Sequence, residues 1–207
     1  MTRRTSSHTC CALLALLLVA LGGCVSVRYD IDRLTDASRI YSDAAVAEHF
    51  ARMDELTDRI AGLAPTVDRA EARKVAEVAL TYPMRLAERY RLTQPAITHN
   101  MLVNIRAKPR GLCIHWTEDL LRRLEALRLT TLDLYWGVAY PTRPFRLEHS
   151  SPVVTATDAP FETGLVLDGW RDSGRLYFTR IPDDKRYAWQ RLHNHITDPP
   201  PGTARGL

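Results

Sequence analysis

The apolar positions of this chain follow two periods, helical in its first part and alternating in its second. From about Ala37 to Leu63, Val46, Phe50, Met53, Ile60 and Leu63 recur at intervals of three, four and seven, predicting a helix that Gly62 and Pro65 end. A second helix is expected from Val67 to Leu92, with Val75, Val78, Tyr82, Leu86 and Tyr90 on one stripe and a kink at Pro83. Pro95 opens a third through Ile97, Met101 and Ile105, stopped by Pro109 and Gly111. A fourth, of about four turns, carries Cys113, Trp116, Leu120, Leu124 and Leu127. Beyond Thr130 the pattern turns to strands: Leu132–Tyr140, His149–Thr157, Gly164–Leu167 and Arg175–Ile181. Pro and Gly clusters punctuate them. Pro152 inside the second run requires an edge strand or a bulge. Helices followed by strands that pair antiparallel make the fold class α+β.

The N-terminus has a different character. Arg3 and Arg4 precede an uncharged apolar run of twelve residues, Cys10 to Leu21, too short to span a bilayer and suited to a signal-peptide core. Leu21-Gly22-Gly23-Cys24 then resembles the lipobox of bacterial lipoproteins. That resemblance implies cleavage after Gly23, acylation of Cys24, and attachment to the bacterial cell envelope facing the periplasm. With Val25 rather than Asp after the cysteine, it implies the outer membrane if the cell is Gram-negative. Several acyl chains make a stable anchor where one does not. The expected organisation is a signal peptide at 1–23, a tether at 24–35, a helical region at 36–94, a core at 95–197 and a disordered tail at 198–207.

Composition narrows the function. The chain has 207 residues, 45% hydrophobic and 25% charged, which excludes a disordered polymer and a polytopic membrane protein. Without Arg3 and Arg4 the balance is 26 basic against 24 acidic residues, too even and dispersed to support nucleic-acid binding. Of four cysteines, Cys10 and Cys11 leave with the signal and Cys24 takes lipid. Cys113 is then the one thiol left, either a small buried hydrophobe or a reactive group.

Position favours reactivity. Cys113 follows Arg110-Gly111-Leu112 and opens a helix, where unpaired N–H groups and the dipole favour a thiolate and an oxyanion. Lys108 and Arg110 stand just upstream, and Asn104 is a candidate second oxyanion donor. A thiolate needs an imidazole, and the imidazole needs an orienting group. His149 starts a candidate strand, and Asp168 ends the short apolar strand Leu165-Val166-Leu167. Asp158 and Asp172 are rivals to Asp168, while His115 reads as structural or lining the cleft, Trp116 as core, and Trp170 as packing or a cover over the site. His193 and His195 find no third ligand nearby, so no metal and no cofactor is expected.

The order Cys, His, Asp, carried by Arg110-Gly111-Leu112-Cys113-Ile114-His115-Trp116, Glu148-His149 and Leu167-Asp168-Gly169-Trp170, is similar to the transglutaminase-like branch of the papain-like cysteine hydrolases. The resemblance covers about residues 95–192. It implies a Cys-bearing helix packed on an antiparallel sheet, with Cys113 as nucleophile, His149 as base and acid, and Asp168 as orienting carboxylate. Ser150 and Ser151 stand where members often have Ala and Trp, and Gly169 where they often have Pro. Hydrolysis of a peptide or amide bond is the expected reaction, with cell-wall peptide an attractive substrate from location. The alternative is a non-catalytic lipoprotein that keeps the fold as a binding or scaffold module of an envelope assembly.

Overall fold

The computed structural model describes residues 43–141 and 147–192, so the signal peptide, Cys24, the tether, His193, His195 and the tail lie outside the described residues. Among the described residues four α-helices precede five strands: α1 (Asp43–Ala61), α2 (Arg69–Arg89), α3 (Ala96–Asn104), α4 (Cys113–Glu125), β1 (Leu132–Ala139), β2 (His149–Ala156), β3 (Leu165–Asp172), β4 (Arg175–Arg180) and β5 (Trp189–Arg191). The fold is α+β, and every strand pairing is antiparallel, in the order β4-β3-β2-β1-β5. The described residues from Glu48 onward form one compact unit, to which the packing below belongs. Among the described residues no helix is long and apolar enough to cross a membrane.

Local chemistry sets the helix ends. Asp68 caps α2, its carboxylate accepting the Ala70 N–H at 2.6 Å. Glu71 in the first turn accepts from the N–H and hydroxyl of both Thr130 and Thr131, which pins α2 to the start of β1. Those four donors outweigh the upward push of burial and hold the Glu71 carboxyl at about 2. Pro83, expected to kink α2, lies within one continuous helix and is buried.

The sheet is covered on both faces, which is why all eight residues of β2 are buried and the strand shows no alternation. On one face Leu56, Ile60, Val75, Leu120 and Leu124 of the helices meet Val154, Leu165 and Leu167. On the other, Val153 and Val166 pack with Phe161, Tyr187 and Trp189. Each fully buried aliphatic side chain contributes about 1.5–3 kcal/mol.

Three expectations need correction. Val46 and Phe50 of the α1 stripe are exposed; Met53 and Ile60 carry its packing. The α3 stripe faces outward, with Ile97, Met101 and Ile105 at 49%, 65% and 71% exposure, while Ala96, His99 and Asn100 face in. Pro152 sits on a central strand, with no edge. Trp136 opposes it and turns its carbonyl away, to the Leu192 N–H at 2.9 Å. Pro152 is therefore in a non-hydrogen-bonded pair with β1, and its missing N–H falls on the β3 side, where pairing is confined to Val153 and Val154.

Candidate active site

Cys113 is the first residue of α4, and the turn before it is held by three side chains. Buried His99 accepts the Thr93 N–H on Nδ1 at 3.1 Å, so its Nε2 carries the proton and donates to the Arg110 carbonyl at 2.9 Å. His115 Nδ1 accepts the N–H groups of Gly111 and Leu112 at 3.0 and 3.2 Å. Trp116 Nε1 donates to the Gly111 carbonyl at 3.0 Å. Gly111 has φ of +125° and touches the His99 ring, a position only glycine fills. Burial, with Arg110 nearby, lowers the His115 pKa, which suits an imidazole acting as acceptor. Of the two expectations for His115, structural or lining the cleft, its bonds to the turn fit the first.

The upstream cations do not serve the thiol. Arg110 pairs with Glu118 at 2.8 Å and Asp119 at 3.1 Å, and Lys108 donates to the Arg91 carbonyl. Asn104, the candidate oxyanion donor, is exposed at the end of α3. Asn100 is the buried amide of that helix, and it accepts from Trp170 Nε1 at 3.1 Å.

His149 and Asp168 come together. His149 begins β2 and Asp168 lies on the neighbouring β3, two residues off direct opposition and on the same face. His149 is fully buried, and its Nε2 meets Asp168 Oδ2 at 2.6 Å. The rings of Tyr187, Trp170 and Trp189 pack around it, with centroids 4.5, 4.8 and 5.5 Å away. Its Nδ1 has no hydrogen-bond partner; the Cys113 thiol is near enough to favour the imidazolium, and its sulfur lies 3.9 Å from the Glu148 carbonyl oxygen. Burial disfavours the imidazolium, but the Asp168 carboxylate and then Cys113 more than compensate, raising the His149 pKa to about 9. Cys113 itself is 8% exposed.

Asp168 is satisfied on every side. Its Oδ1 accepts the N–H groups of Trp170 and Arg171, at 3.1 and 3.0 Å, and its Oδ2 also takes Arg171 Nε at 3.0 Å. Burial alone would push the carboxyl up; His149 and Arg171 overcome this and hold it below the usual range. Arg171 continues to Asp184 at 2.7 Å. Asp184 in turn accepts the N–H groups of Arg186 and Tyr187 and the indole N–H of Trp189. The rivals lie elsewhere: Asp158 is in an exposed turn, and Asp172 ends the strand at the β3–β4 hairpin.

Arg171, Asp184, Tyr187 and Trp189 have no place in the sequence reading. A regular strand puts Asp168 and Arg171 on opposite faces, but the β3–β4 register shifts between Asp168 and Asp172, and that irregularity turns both toward one point. Gly169 lies within it because a Cβ there would meet Pro83 at 2.9 Å. The chain crosses from β4 at one sheet edge to β5 at the other, and that crossing carries residues 184–189 past the site. Among the described residues no group of three His, Cys, Asp or Glu is placed to hold a metal ion. Set against protein-family models, curated proteins and solved structures, the chain matches none of them.

Proposed function

We propose that this chain is a cysteine hydrolase of the transglutaminase-like, papain-like kind, cleaving a peptide or amide bond through Cys113, His149 and Asp168. One observation carries the reading: a buried imidazole gives one nitrogen to a carboxylate and leaves the other unbonded, with Cys113, the free thiol among the described residues, near enough at a helix start to favour its cation. A packing histidine has no need of this arrangement. A nucleophile's partner does.

In the reaction, the imidazole takes the thiol proton and the sulfur attacks the carbonyl carbon. The N–H groups at the start of α4 face the developing oxyanion. The C–N bond breaks as the imidazolium gives its proton to the departing nitrogen. Water, activated by the same imidazole, then cleaves the thioester, releasing the acid and restoring the thiol. Asp168 keeps the ring oriented and stabilises its cation, and Arg171 keeps Asp168 ionised. The proposal includes a lipid anchor at Cys24 in a bacterial envelope, with peptide or cell-wall peptide as substrate.

The test is alkylation of the folded protein by iodoacetamide at pH 6, where a free thiol is almost entirely protonated. Cys113 is expected to react at least about tenfold faster than free cysteine, because its partner imidazolium holds the thiolate. A rate equal to that of the free thiol removes the ion pair and the enzyme with it. Cys24→Ser tests the anchor separately: accumulation of unprocessed precursor is expected, and normal membrane attachment refutes acylation.

A further inference from the structure

Helix α3 is built inside out. His99 and Asn100 face the body of the molecule, where His99 braces the Arg110 carbonyl and Asn100 meets the Trp170 indole. The large apolar residues face away. Ile97, Met101 and Ile105 stand four apart on one ridge, about 12 Å long at the helical rise, and each is about half exposed or more. Leu147, also half exposed, shares a cavity wall with Ile97 and extends the ridge at that end. An uncovered apolar ridge rimmed by polar residues marks an interaction site.

The charge around the ridge says what it meets. From Arg89 to Thr117 the chain has five arginines and lysines and no aspartate or glutamate. Arg110 is matched by Glu118 and Asp119. Arg91 and Arg106 are exposed, and among the described residues neither they nor Lys108 form an ion pair; Lys108 donates to the Arg91 carbonyl at 3.1 Å, which joins the two segments. Arg106 and Lys108 stay at the Ile105 end because the N–H groups of Ala107 and Lys108 both turn back to the Leu102 carbonyl, at 2.8 and 3.1 Å. At the Ile97 end Arg186 lines the cavity and the exposed Glu148 follows Leu147, so charge there is mixed and the cationic excess belongs to the Ile105 end. A convex apolar row with unneutralised cations at one end has no groove to grip a partner helix. It fits a flat surface that is anionic on top and apolar beneath.

We propose that the outward face of α3 docks on an anionic phospholipid bilayer. Ile97, Met101 and Ile105 dip into the boundary between headgroups and acyl chains, while Arg91, Arg106 and Lys108 meet the lipid phosphates. The docking needs neither the hydrolase reading nor an anchor at Cys24. Its consequence is orientation: α3 then lies between the bilayer and the turn that starts the cysteine helix, because its inner face braces that turn through His99.

The experiment is hydrogen–deuterium exchange of the full chain, read by mass on peptides within residues 96–110. Exchange is compared in buffer, with phosphatidylcholine vesicles, and with vesicles containing about 30% phosphatidylglycerol. The readout is local, so attachment through another part of the chain does not imitate it. On the anionic vesicles exchange is expected to slow about fivefold, and to return toward the buffer rate in about 0.5 M salt. Met101→Asp and Arg106→Glu, both at exposed positions, should each abolish the slowing while exchange in β2 and β3 stays unchanged, which shows that the fold is kept. Equal slowing on phosphatidylcholine, no slowing on either vesicle, or unchanged slowing in both variants overturns the proposal. So does slowing that grows with protein concentration in the absence of lipid, since a second copy is then the occupant.

Discussion

A methyl group on Gly111 would lie 2.3 Å from Nε2 of His99, the nitrogen that holds the Arg110 carbonyl three residues before Cys113. The glycine and the histidine thus define the turn that starts the cysteine helix, and neither can change without the other responding. Gly111→Ala adds a left-handed backbone to that overlap. It should cost about 3 kcal/mol, read as a fall in urea midpoint, and should slow Cys113 alkylation at pH 6. In a double-mutant cycle, His99→Ala should make Gly111→Ala cheaper, because the space is then free. Additive losses would show that the two do not share it.

Asp168→Asn removes the charge that favours the imidazolium. Because the His149 pKa is raised to about 9 from 6.5, the protonated ring persists through neutrality and is lost as pH rises through 9. The basic limb of a pH–rate profile should lie near 9 in the wild type and move to lower pH in Asp168→Asn. Stability linked to His149 is complete below about 6.5 and falls as pH rises through 9. A basic limb that Asp168→Asn leaves in place would detach the carboxylate from the imidazole.

Arg171→Met leaves Asp168 and Asp184 buried without their shared cation. The expected loss is about 3–5 kcal/mol by denaturant titration, the usual consequence of stranding a buried charge. Both carboxyls should titrate higher, so the loss should shrink on acidification. A surface-like effect under about 0.5 kcal/mol would mean the pair is solvated.

Glu71→Gln weakens the clamp between α2 and β1, far from the site in sequence. About 2 kcal/mol should be lost at pH 7, since the neutral amide has only one oxygen to meet four donors. The Glu71 carboxyl is depressed from 4.5 to about 2, so its contribution is present above 4.5 and disappears as pH falls toward 2. Wild type and variant should therefore converge in acid, and equal stability at pH 7 would refute the clamp.

The strand ends are legible because strand-forming runs and their Pro and Gly punctuation act locally, so β1, β2 and β4 each lie within one residue of expectation, and the order of Cys, His and Asp along those elements points to the meeting of His149 with Asp168. What escapes reading depends on the third dimension. β3 continues past Leu167 because an irregularity lets Gly169 slip against Pro83. β5 has three residues, too few for a period to emerge. Ile97, Met101 and Ile105 keep helical spacing yet face outward, since a stripe does not say which side the sheet will occupy. Arg171 and Asp184 are ordinary surface residue types until a register shift turns the first under a buried carboxylate and a crossing connection brings the second to it.

That crossing also gives the protein a chronology. A ribosome has delivered the sulfur, the imidazole and its carboxylate by residue 168, but Asp184 and the rings at 187 and 189 come later, and the rings reach the imidazole only when β5 docks on the edge of β1. The surroundings of the imidazole are accordingly completed only once residue 189 has been made, and a single proteolytic nick between 181 and 189 is expected to loosen them without removing Cys113, His149 or Asp168.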